Sequence, residues 1–479
     1  MWALGAGRPE WWQPNRQLNR QILAIRYRLI RIASCLNSLS YIDCQPAIEP
    51  ANLVLPSAHP FAMEPLLPPS GGKFESVAVG LHREAGALAA TAHPVTRMAL
   101  AKLVRVVNSF HSNLIEGIRT SPAEIEAALK ADYSHDAGRA AAQRFAAAHF
   151  RVEHAVMTEL AANPRAEVTT PAFILRLHRD LYADVPDSER IVRSPSGRTA
   201  IVIPGAIRDQ SVIVGRHVAP PADSVMTFLE RFHEAYRPDA HTDVGRVVAF
   251  AASHHRLAWI HPFLDGNGRV TRLMSTAYSR RIQLDANGLW SIARGFARYR
   301  SEYYAALAAA DEPRRSDVDG RGQLSLSALE AWCEFVVRVA LDQILYMRSL
   351  LRPDSLVDRL RGYVAYQAAR GGRRGGGGGR RWRDEAGDLL AALVARGTLT
   401  RAEALRYLPG KERTAREALS VLLTDGILEA DSHRAPVRLG FPPHAAQVLF
   451  TDLMTSPAST LGQPDDAPQP AVPQRSSSV

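Results

Sequence analysis

The sequence predicts a mainly α-helical protein in which β-structure is confined to a hairpin and to a few short strands. Apolar residues recur every three to four positions through long stretches of the chain, as they do on the buried face of an α-helix. Runs of β-branched residues, by contrast, occur at 201–214, with two further short strand patterns at 427–440. With 479 residues, the chain is long enough for a large helical core and an accessory unit.

The composition is that of a globular protein with an excess of positive charge. Lys and Arg outnumber Asp and Glu by 58 to 48, which gives a formal net charge of +10. This charge permits contact with nucleic acid or acidic partners but does not demonstrate it. Cys35, Cys44 and Cys333 have neither metal-binding nor disulfide spacing, which suits a reducing cytoplasm. No run of eighteen uncharged apolar residues occurs, so the sequence predicts a cytoplasmic protein with no membrane span.

The N-terminal third divides into an extension and a helical region. Residues 1–62 contain a basic, partly apolar stretch followed by proline-rich sequence. We expect a poorly ordered extension or an artefact of the start site there, with a basic membrane-surface helix as the alternative. Residues 63–165 form the predicted N-terminal helical region. Within it, 96–118 has the pattern of an amphipathic helix with five large apolar residues on one stripe.

The most informative segment is HPFLDGNGRVTR (261–272), which combines an imidazole, a carboxylate, a Gly-Asn-Gly turn and two arginines. A helix is predicted over 244–259 and ends at His261-Pro262, because a residue before proline avoids the helical conformation. The glycines allow a tight turn, after which a second helix begins near Arg269 and continues at least to Tyr278. A helix N-terminus offers unpaired N–H groups and a partial positive charge to an anion. The segment therefore predicts a site for a di- or triphosphate.

Each polar side chain of this segment suits one task at a phosphate. His261 is the predicted general base, because an imidazole accepts protons near neutral pH. Asp265 is a hard oxygen ligand suited to Mg2+. Arg269 and Arg272 lie three positions apart on one helix face, within reach of the β- and γ-phosphates.

The remaining positions of the segment shape the turn. Gly266 and Gly268 leave backbone amides free to bind a nucleotide, and Asn267 is expected to help stabilise the charge that develops on the transferred phosphorus. Phe263 is expected to point into the core and hold the loop in place. One of these residues alone would be unremarkable, but their combination in this order favours an active site.

The segment resembles the signature of the Fic family, His-x-Phe-x-(Asp/Glu)-Gly-Asn-Gly-Arg-x-x-Arg, with every fixed position present. The resemblance covers roughly residues 65–350 and implies a helical Fic core, which we place within 166–365. It further implies transfer of AMP from ATP, with Mg2+, to a hydroxyl side chain of a protein. Some relatives use another nucleotide or a phosphocholine-type donor, so the resemblance identifies neither the donor nor the target.

A second motif lies at the end of the predicted helix 96–118. The segment SNLIEG (112–117) resembles the Fic inhibitory motif, (Ser/Thr)-x-x-x-Glu-(Gly/Asn). The resemblance implies that Glu116, with Ser112 in the same motif, pairs with Arg272 and withholds that arginine from the γ-phosphate. A carboxylate in cis then competes with a phosphate in trans for one guanidinium. The plain alternative is a solvated glutamate at a helix C-terminus.

A β-hairpin is predicted over 201–215, where two β-branched runs are separated by turn-forming residues. It resembles the flap of the Fic family, which holds the target segment by strand addition, although an ordinary surface hairpin has the same pattern. On this resemblance Arg208, Val212 and Val214 are the expected target contacts. The stretch 290–307, with its arginines and tyrosines, either walls the adenine side of the site or packs in the core.

The C-terminal region predicts a hinge, a small domain and a tail. Residues 366–386 are so rich in glycine and arginine that we expect a flexible linker. Within 387–450 the order of patterns predicts a winged-helix domain: helices at 388–395, 401–407 and 414–424, then strands at 427–429 and 437–440. Lys411, Arg413 and Arg416 lie where a recognition helix meets a DNA groove, but winged helices also serve in dimerisation and protein docking. Residues 451–479 are predicted to be disordered.

Three functions compete for the whole chain. The leading hypothesis is a protein adenylyltransferase that uses ATP and Mg2+ and is inhibited in cis by Glu116. Its partner is a protein with a Ser, Thr or Tyr hydroxyl, the chain itself included. The second hypothesis keeps the fold and reverses the chemistry, so that Glu116 orients a water that removes AMP from a modified protein. The third is a DNA-binding regulator whose Fic core senses nucleotide. The resemblance is also compatible with a homodimer.

Overall fold

The computed structural model describes residues 58–69, 71–193, 199–373 and 382–453. The predictions for 1–57, for the centre of the glycine-rich linker (374–381) and for the tail from 454 onward lie outside the described residues. Within these residues the protein is mainly α-helical with a few short strands, so the predicted fold class is confirmed. Among the described helices, none combines the length and the apolar character that crossing a membrane requires.

The helices fall into a long series before the linker and a shorter one after it. Before residue 374 they are α1 (Lys73–Ala89), α2 (Pro94–Ile115), α3 (Pro122–Leu129), α4 (Ala137–Ala162), α5 (Pro171–Tyr182), α6 (Val225–Tyr236), α7 (Asp243–Ile260), α8 (Asn267–Arg281), α9 (Ile292–Arg298), α10 (Arg300–Ala310), α11 (Leu326–Leu350) and α12 (Pro353–Arg373). After residue 381 they are α13 (Ala386–Arg396), α14 (Arg401–Arg406), α15 (Glu412–Asp425) and α16 (Pro443–Leu449).

Within the described residues the strands are short and form three small antiparallel sheets. They are β1 (Ile191–Arg193), β2 (Thr199–Ile201), β3 (Ile213–Val214), β4 (His217–Val218), β5 (Thr398–Leu399), β6 (Leu428–Glu429) and β7 (Val437–Leu439). Strand β1 pairs with β2, β3 pairs with β4, and the last three are ordered β5-β7-β6.

Helix α7 lies at the centre of the packing. From Val247 to Ile260 every residue except Ala258 is buried, so this helix needs neighbours on all sides. Helices α1, α6, α8 and α11 provide them. On one side, Trp332 of α11 donates its indole N–H to the carbonyl oxygen of Ala251 at 2.7 Å. A helix held on all sides in this way is a rigid support for the loop that follows it.

The predicted helix boundaries are close to the observed ones, with informative differences. Helix α7 matches the predicted 244–259 within one residue at each end, while α8 begins at Asn267, two residues before the predicted start. Helix α2 ends at Ile115, three residues before the predicted end, because Gly117 turns the chain with φ 78°. A glycine in this left-handed conformation is a common helix stop.

The predicted hairpin over 201–215 is wrong in its pairing. Strand β2 pairs with β1, and β3 pairs with β4, so the two β-branched runs belong to different hairpins. Pro204 lacks a backbone donor and Gly205 turns the chain with φ 79°, so the stretch after β2 leaves its ladder instead of pairing with β3. The intervening residues connect the two hairpins.

The C-terminal unit, residues 387–450, contains the predicted helices and strands in the predicted order. It adds a third strand, β5, and a further helix, α16. Helix α12 continues to Arg373, into the segment predicted as a linker. The domain boundaries and the winged-helix interpretation stay predictions, but one cluster of buried apolar side chains extends from Ala62 to Leu453.

The end of the described chain also contacts the N-terminal helical region. Nε2 of His111 on α2 donates to the carbonyl oxygen of Leu453 at 3.2 Å. Arg294 on α9 donates from Nη2 to the carbonyl oxygen of Asp452 at 2.9 Å. Helix α2 is therefore held both by the residues that follow α16 and by the helices around the 261–272 loop.

Candidate active site

The loop between α7 and α8 is braced from within. The side-chain amide of Asn267 accepts a hydrogen bond from the N–H of Phe263 (2.9 Å) and donates one to the carbonyl oxygen of the same residue (2.8 Å). Phe263 is fully buried and stacks on His178 of α5, with ring centroids 3.9 Å apart, as its predicted packing role requires. Each polar atom of the Asn267 side chain therefore has one partner within the loop, and the predicted role of Asn267 at the transferred phosphorus stays a prediction.

His261 follows the last residue of α7 in a left-handed backbone conformation (φ 50°, ψ 60°). Its Nδ1 lies 3.3 Å from the carbonyl oxygen of Ala258, which can only accept, so Nδ1 carries the proton and Nε2 keeps its lone pair. Burial, and after it the neighbouring His217 and Arg208, lower the pKa of His261 to about 4. The imidazole is therefore neutral at neutral pH, which is the state that a general base requires.

Arg269, in the first turn of α8, is buried among aromatic and polar groups. Its Nη2 donates to Oδ2 of Asp265 (2.9 Å) and to the hydroxyl oxygen of Tyr182 (2.8 Å), while the Tyr182 hydroxyl donates to the same Asp265 oxygen (2.5 Å). The guanidinium lies over the Phe145 ring, 4.5 Å from its centroid. Burial alone would raise the pKa of the Asp265 carboxyl, but the charge of Arg269 and the Tyr182 hydroxyl reverse this and lower it. Asp265 is therefore ionised at neutral pH.

Two donors of Arg269 have no acceptor among the described residues. Within the part of the chain that the structure describes, Nε and Nη1 of Arg269 are buried without a hydrogen-bond acceptor. Unsatisfied guanidinium donors are costly, and a phosphate oxygen is an acceptor of matching charge. The neighbouring Gly266 has φ 80°, and a Cβ there would come within 2.8 Å of the Tyr182 ring. Only glycine fits this approach of the loop to Tyr182.

Arg272, one turn further along α8, is held by α2. Its Nε donates to the hydroxyl of Ser112 at 2.9 Å, and its Nη2 donates to the carbonyl oxygen of Ser112 (2.9 Å) and to Oε1 of Glu116 (2.5 Å). The guanidinium is buried, whereas the Glu116 side chain is 34% exposed. Burial lowers the pKa of Arg272, but the carboxylate of Glu116 and two nearby tyrosines outweigh burial, and the pKa is raised. Arg269 and Arg272, predicted to act together on one helix face, thus have separate partners.

Glu116 is also seated against the backbone of the turn. A Cβ on Gly268 would overlap the Glu116 carboxylate and come within 3.0 Å of Nη1 of Arg272. The missing side chain at position 268 therefore leaves room for a carboxylate at the first turn of α8, where unpaired N–H groups favour an anion. The Glu116 carboxylate therefore lies in the region, at the first turn of α8, where the sequence predicts that a phosphate binds.

Helix α10 anchors the end of α2 from the other side. Nη2 of Arg300 and the hydroxyl of Tyr304 both donate to the carbonyl oxygen of Ile115, at 3.1 Å and 3.0 Å. The last carbonyls of a helix have no partner within the helix, so these two donors complete α2 and restrain the residue before Glu116. The stretch 290–307, for which the sequence left two alternatives open, contributes this anchor.

The three residues expected to contact the target differ in their exposure. Arg208 is 2% exposed, and its guanidinium donates to backbone carbonyl oxygens, so it cannot contact a target and that prediction is wrong. Val212 is half-buried, and Val214 on β3 is 45% exposed. Among the described residues β3 pairs with β4 alone, which leaves its other edge open. Strand addition at that edge stays a prediction.

Sequence reasoning missed the residues of α5 that support the loop. His178 stacks on Phe263, and its Nδ1 accepts a hydrogen bond from the N–H of Gly205 at 2.9 Å. Tyr182 bonds Asp265 and Arg269, as described above. The two residues are four positions apart and thus on one face of a helix. The available signal was a histidine and a tyrosine on the apolar stripe of an amphipathic helix just upstream of the motif.

A sequence profile of the Fic/DOC family matches residues 168–279, a range that contains the two hairpins, α7, the loop and most of α8. The chain therefore contains a Fic domain. Among curated proteins it is similar to the protein adenylyltransferase Fic of Drosophila mojavensis, with 31% identity over 98 residues, 20% of each protein. The Drosophila yakuba protein of the same name is 34% identical over 102 residues, 21% of this chain and 18% of the relative. The chain thus spans about a fifth of the length of the curated relatives that it matches.

The chain is also similar to solved structures. One is a Fic family protein from Desulfovibrio desulfuricans G20, with a TM-score of 0.44 and 18% identity over 76% of this chain and 95% of that one. Another is Fic-1 from C. elegans, with a TM-score of 0.44 and 18% identity over 59% of this chain and 74% of that one.

The matched Fic region begins after α2, the helix that carries Ser112 and Glu116. The contact of these two residues with Arg272 is therefore observed in the structure, while the inhibitory role that the sequence predicts for them belongs to the proposals below.

Asp265 is the residue of the loop that suits a metal ion. Among the described residues there is no cluster of three or more His, Cys, Asp or Glu side chains arranged to hold one. Proteins, however, usually bind Mg2+ through one or two carboxylates, with phosphate oxygens and water completing its coordination. The Asp265 side chain is 44% exposed and ionised, so it fits a site of this kind.

Proposed function

We propose that this Fic protein is a protein adenylyltransferase, which transfers AMP from ATP to a Ser, Thr or Tyr hydroxyl of a protein. One observation carries the proposal: the neutral imidazole of His261, with its Nε2 unprotonated, starts the loop whose other end places Arg269 and Arg272 in the first turns of α8. A proton acceptor and an anion site at the two ends of one short turn suit attack of an alcohol on a nucleotide. The names of the curated relatives support the same reaction over the length that they share.

The proposed reaction uses each group for one step. The target hydroxyl gives its proton to Nε2 of His261 while its oxygen bonds to the α-phosphorus of ATP. The bond from that phosphorus to the oxygen that bridges to the β-phosphate breaks, and pyrophosphate leaves. Arg269, Arg272 and the amides of the first turn of α8 counter the negative charge on the leaving phosphates. Mg2+ held by Asp265 would neutralise and orient the phosphates.

The contact between Glu116 and Arg272 supports inhibition in cis. Arg272 already donates to a carboxylate and to two oxygens of Ser112, so a γ-phosphate must displace Glu116 to engage this arginine. Glu116 also lies against Gly268, where the phosphates are expected. We expect ATP to bind productively only after the carboxylate moves away.

The test is transfer of label from ATP that carries it on the α-phosphate. Glu116→Gly should raise labelling of protein about tenfold or more, because a charge-assisted hydrogen bond contributes about 1.5 to 3 kcal/mol. His261→Ala in the Glu116→Gly background should reduce it at least about 100-fold, the usual contribution of a general base. Mass spectrometry of the modified protein should show the added mass of AMP.

Two controls separate this proposal from its alternatives. Glu126→Gly removes a glutamate of the neighbouring helix α3 that pairs with Lys130, and it should leave labelling unchanged. ATP labelled on the γ-phosphate should transfer no label, because pyrophosphate carries it away. If Glu116→Gly labels protein no better than the unmodified chain does, inhibition by Glu116 is wrong. If it transfers no AMP to any protein of a lysate or to itself, the proposed reaction is wrong.

One observation favours the reverse reaction as a second candidate. The Glu116 carboxylate is partly exposed beside the loop, so it can accept a hydrogen bond from a water that attacks a protein-bound AMP. The unmodified chain, incubated with protein that the Glu116→Gly variant has labelled, should then release AMP. Release that is as slow as in buffer would contradict this candidate.

Two further expectations concern the association of copies of the chain and the binding partner of the C-terminal unit. A homodimer stays a prediction, which light scattering of the purified chain tests directly. For the C-terminal unit we favour protein contact over DNA contact, because the exposed arginines of α15 form ion pairs with glutamates of the same helix.

A further inference from the structure

We propose that Arg208, which precedes the β3–β4 hairpin, and His217, the first residue of β4, are positioning residues. They hold His261 in the orientation needed for proton transfer. The inference rests on the proposed function, because it gives both residues a part in that reaction. It also replaces the target contact that the sequence predicts for Arg208. Neither residue touches a reacting atom in this scheme, and both act through the backbone around His261.

The backbone of His261 needs external support. Its φ of 50° and ψ of 60° lie in the left-handed region, where a Cβ crowds the carbonyl group and where residues other than glycine are uncommon. Such conformations persist only where the surrounding structure enforces them, and they cluster at functional sites. The groups that enforce this conformation therefore determine where the imidazole points.

Arg208 supplies the contacts on the far side of the turn. Its Nε donates to the carbonyl oxygen of His261 at 2.8 Å, and its backbone N–H donates to the carbonyl oxygen of Pro262 at 3.0 Å. Its other nitrogens donate to the carbonyl oxygens of Gln210 (2.9 Å) and Pro220 (2.5 Å). One buried cation thus joins the chain before β3 and after β4 to the two residues at the start of the loop.

His217, the first residue of β4, supplies a contact on the helix side. Its Nε2 donates to the carbonyl oxygen of Trp259 at 2.7 Å. His261 itself satisfies the two preceding carbonyls, with its N–H on Leu257 (3.2 Å) and its Nδ1 on Ala258 (3.3 Å). The carbonyl end of a helix lacks partners and carries partial negative charge, so donors and cations stabilise it. The carbonyl groups at the C-terminal end of α7 therefore receive hydrogen bonds from His261 and from His217 of the hairpin.

Both residues also influence how readily the His261 imidazole takes up a proton. After burial, His217 and Arg208 lower the pKa of His261, while Glu116 on α2 raises it. A role in positioning His261 therefore predicts two effects of a substitution. The imidazole should lose its fixed orientation, and its affinity for a proton should rise.

The activity test uses the Glu116→Gly background, in which transfer is measurable without the α2 carboxylate. In that background Arg208→Gln should lower kcat roughly 100-fold, the usual cost of a misplacement of about 1 Å, with the KM for ATP nearly unchanged. Arg208→Lys should recover part of this loss, because an ammonium keeps the charge but cannot donate to three diverging oxygens. His217→Gln, which keeps a donor, should retain more activity than His217→Phe.

A second measurement does not need catalysis. The NMR titration of the His261 ring should shift to higher pH in Arg208→Gln, because a nearby positive charge is removed. The acidic limb of the kcat profile should move in the same direction. Arg256→Gln is the matched control, since Arg256 is also fully buried and donates to a carbonyl oxygen, that of Pro65, at 2.7 Å. It should lower thermal stability and leave both the His261 titration and kcat per folded molecule unchanged.

The outcomes distinguish the inference from the function on which it rests. If the Glu116→Gly parent transfers AMP and the folded Arg208 and His217 variants match it in kcat and in the His261 titration, the inference is overturned. If the parent transfers nothing, the proposed function fails instead, and the titration alone decides whether Arg208 and His217 control the imidazole.

Discussion

Nη2 of Arg272 on α8 donates to Oε1 of Glu116 on α2 across 2.5 Å, although the two residues are 156 positions apart in the sequence. Ser112, one helical turn before Glu116, accepts two further hydrogen bonds from the same guanidinium. An arginine with this many acceptors is already satisfied, so a phosphate has to compete for it. The contact thus couples the position of α2 to the anion site at the start of α8.

Ser112→Ala should weaken this contact without removing the carboxylate. A hydrogen bond to a charged group contributes about 1.5 kcal/mol at the low end, so basal AMP transfer should rise roughly tenfold, or less where Arg272 finds another acceptor. The effect acts through Glu116, and it should therefore vanish when Ser112→Ala is added to Glu116→Gly. Labelling with ATP in the four variants of this cycle measures it. An equal gain in both backgrounds would show that Ser112 acts by another route.

Gly268→Ala should destabilise the folded protein mainly by expelling Glu116. A Cβ at 268 overlaps the carboxylate, so the ion pair to Arg272 must break or shift, at a cost of about 1 to 3 kcal/mol. The free energy of unfolding in urea measures this cost. In the Glu116→Gly background, where the carboxylate is absent, the same substitution should cost clearly less. Equal costs in the two backgrounds would place Glu116 elsewhere in solution.

Much of the site could be predicted because its parts are local in sequence. The turn between α7 and α8 follows from a proline and two glycines, and the first turn of α8 then has to present its N–H groups. The four-residue spacing of Ser112 and Glu116 puts both on one helix face, which is why a single arginine can bind both. Patterns within one helix or one turn carry this information directly.

The role of Arg208 and the hydrogen bonds of Asn267 within the loop could not be predicted, because each depends on contacts made after the chain has packed. An arginine in a polar loop is usually exposed, and only the packing of the hairpin on α7 shows Arg208 buried among carbonyl oxygens. The sequence also predicts that the β-branched runs at β2 and β3 pair with each other, and this prediction is wrong for a similar reason. The β-branched pattern of a strand does not identify its partner. These features are decided by tertiary neighbours.

Acid should destabilise the fold through histidines that are buried in the neutral form. Burial lowers the pKa of His111 and His149 to about 3, and that of His178 and His261 to about 4. Below about pH 6.5 the unfolded chain takes up protons at these sites and the folded protein does not, so the free energy of unfolding falls as the pH drops from about 6.5 to 4. Glu153 opposes this trend: burial raises its pKa to about 7, and the stability it contributes is present below about pH 4.5 and lost as the pH rises through 7.

His149→Leu isolates one of these sites. His149 is fully buried, and within the described residues neither ring nitrogen has a hydrogen-bond partner. Its removal should reduce the loss of stability between about pH 6.5 and 4 by up to about 1.4 kcal/mol per pH unit, the effect of one proton. Urea unfolding at several pH values measures the slope, with the exposed His135→Leu as control. Equal slopes in the His149 and His135 variants would contradict the prediction.

The C-terminal unit should bind duplex DNA weakly or not at all at physiological salt. Nε of Arg413 lies 3.1 Å from Oε1 of Glu417, and Arg416 pairs with Glu412, so the arginines of α15 are balanced by acids one turn away. Phosphate contacts would have to break these pairs. Replacing Glu412 and Glu417 with glutamine should therefore raise DNA affinity and steepen its dependence on salt, because more counterions are released on binding. Fluorescence anisotropy of a labelled duplex measures both, and tight, salt-dependent binding by the unmodified chain would favour a DNA-binding regulator instead.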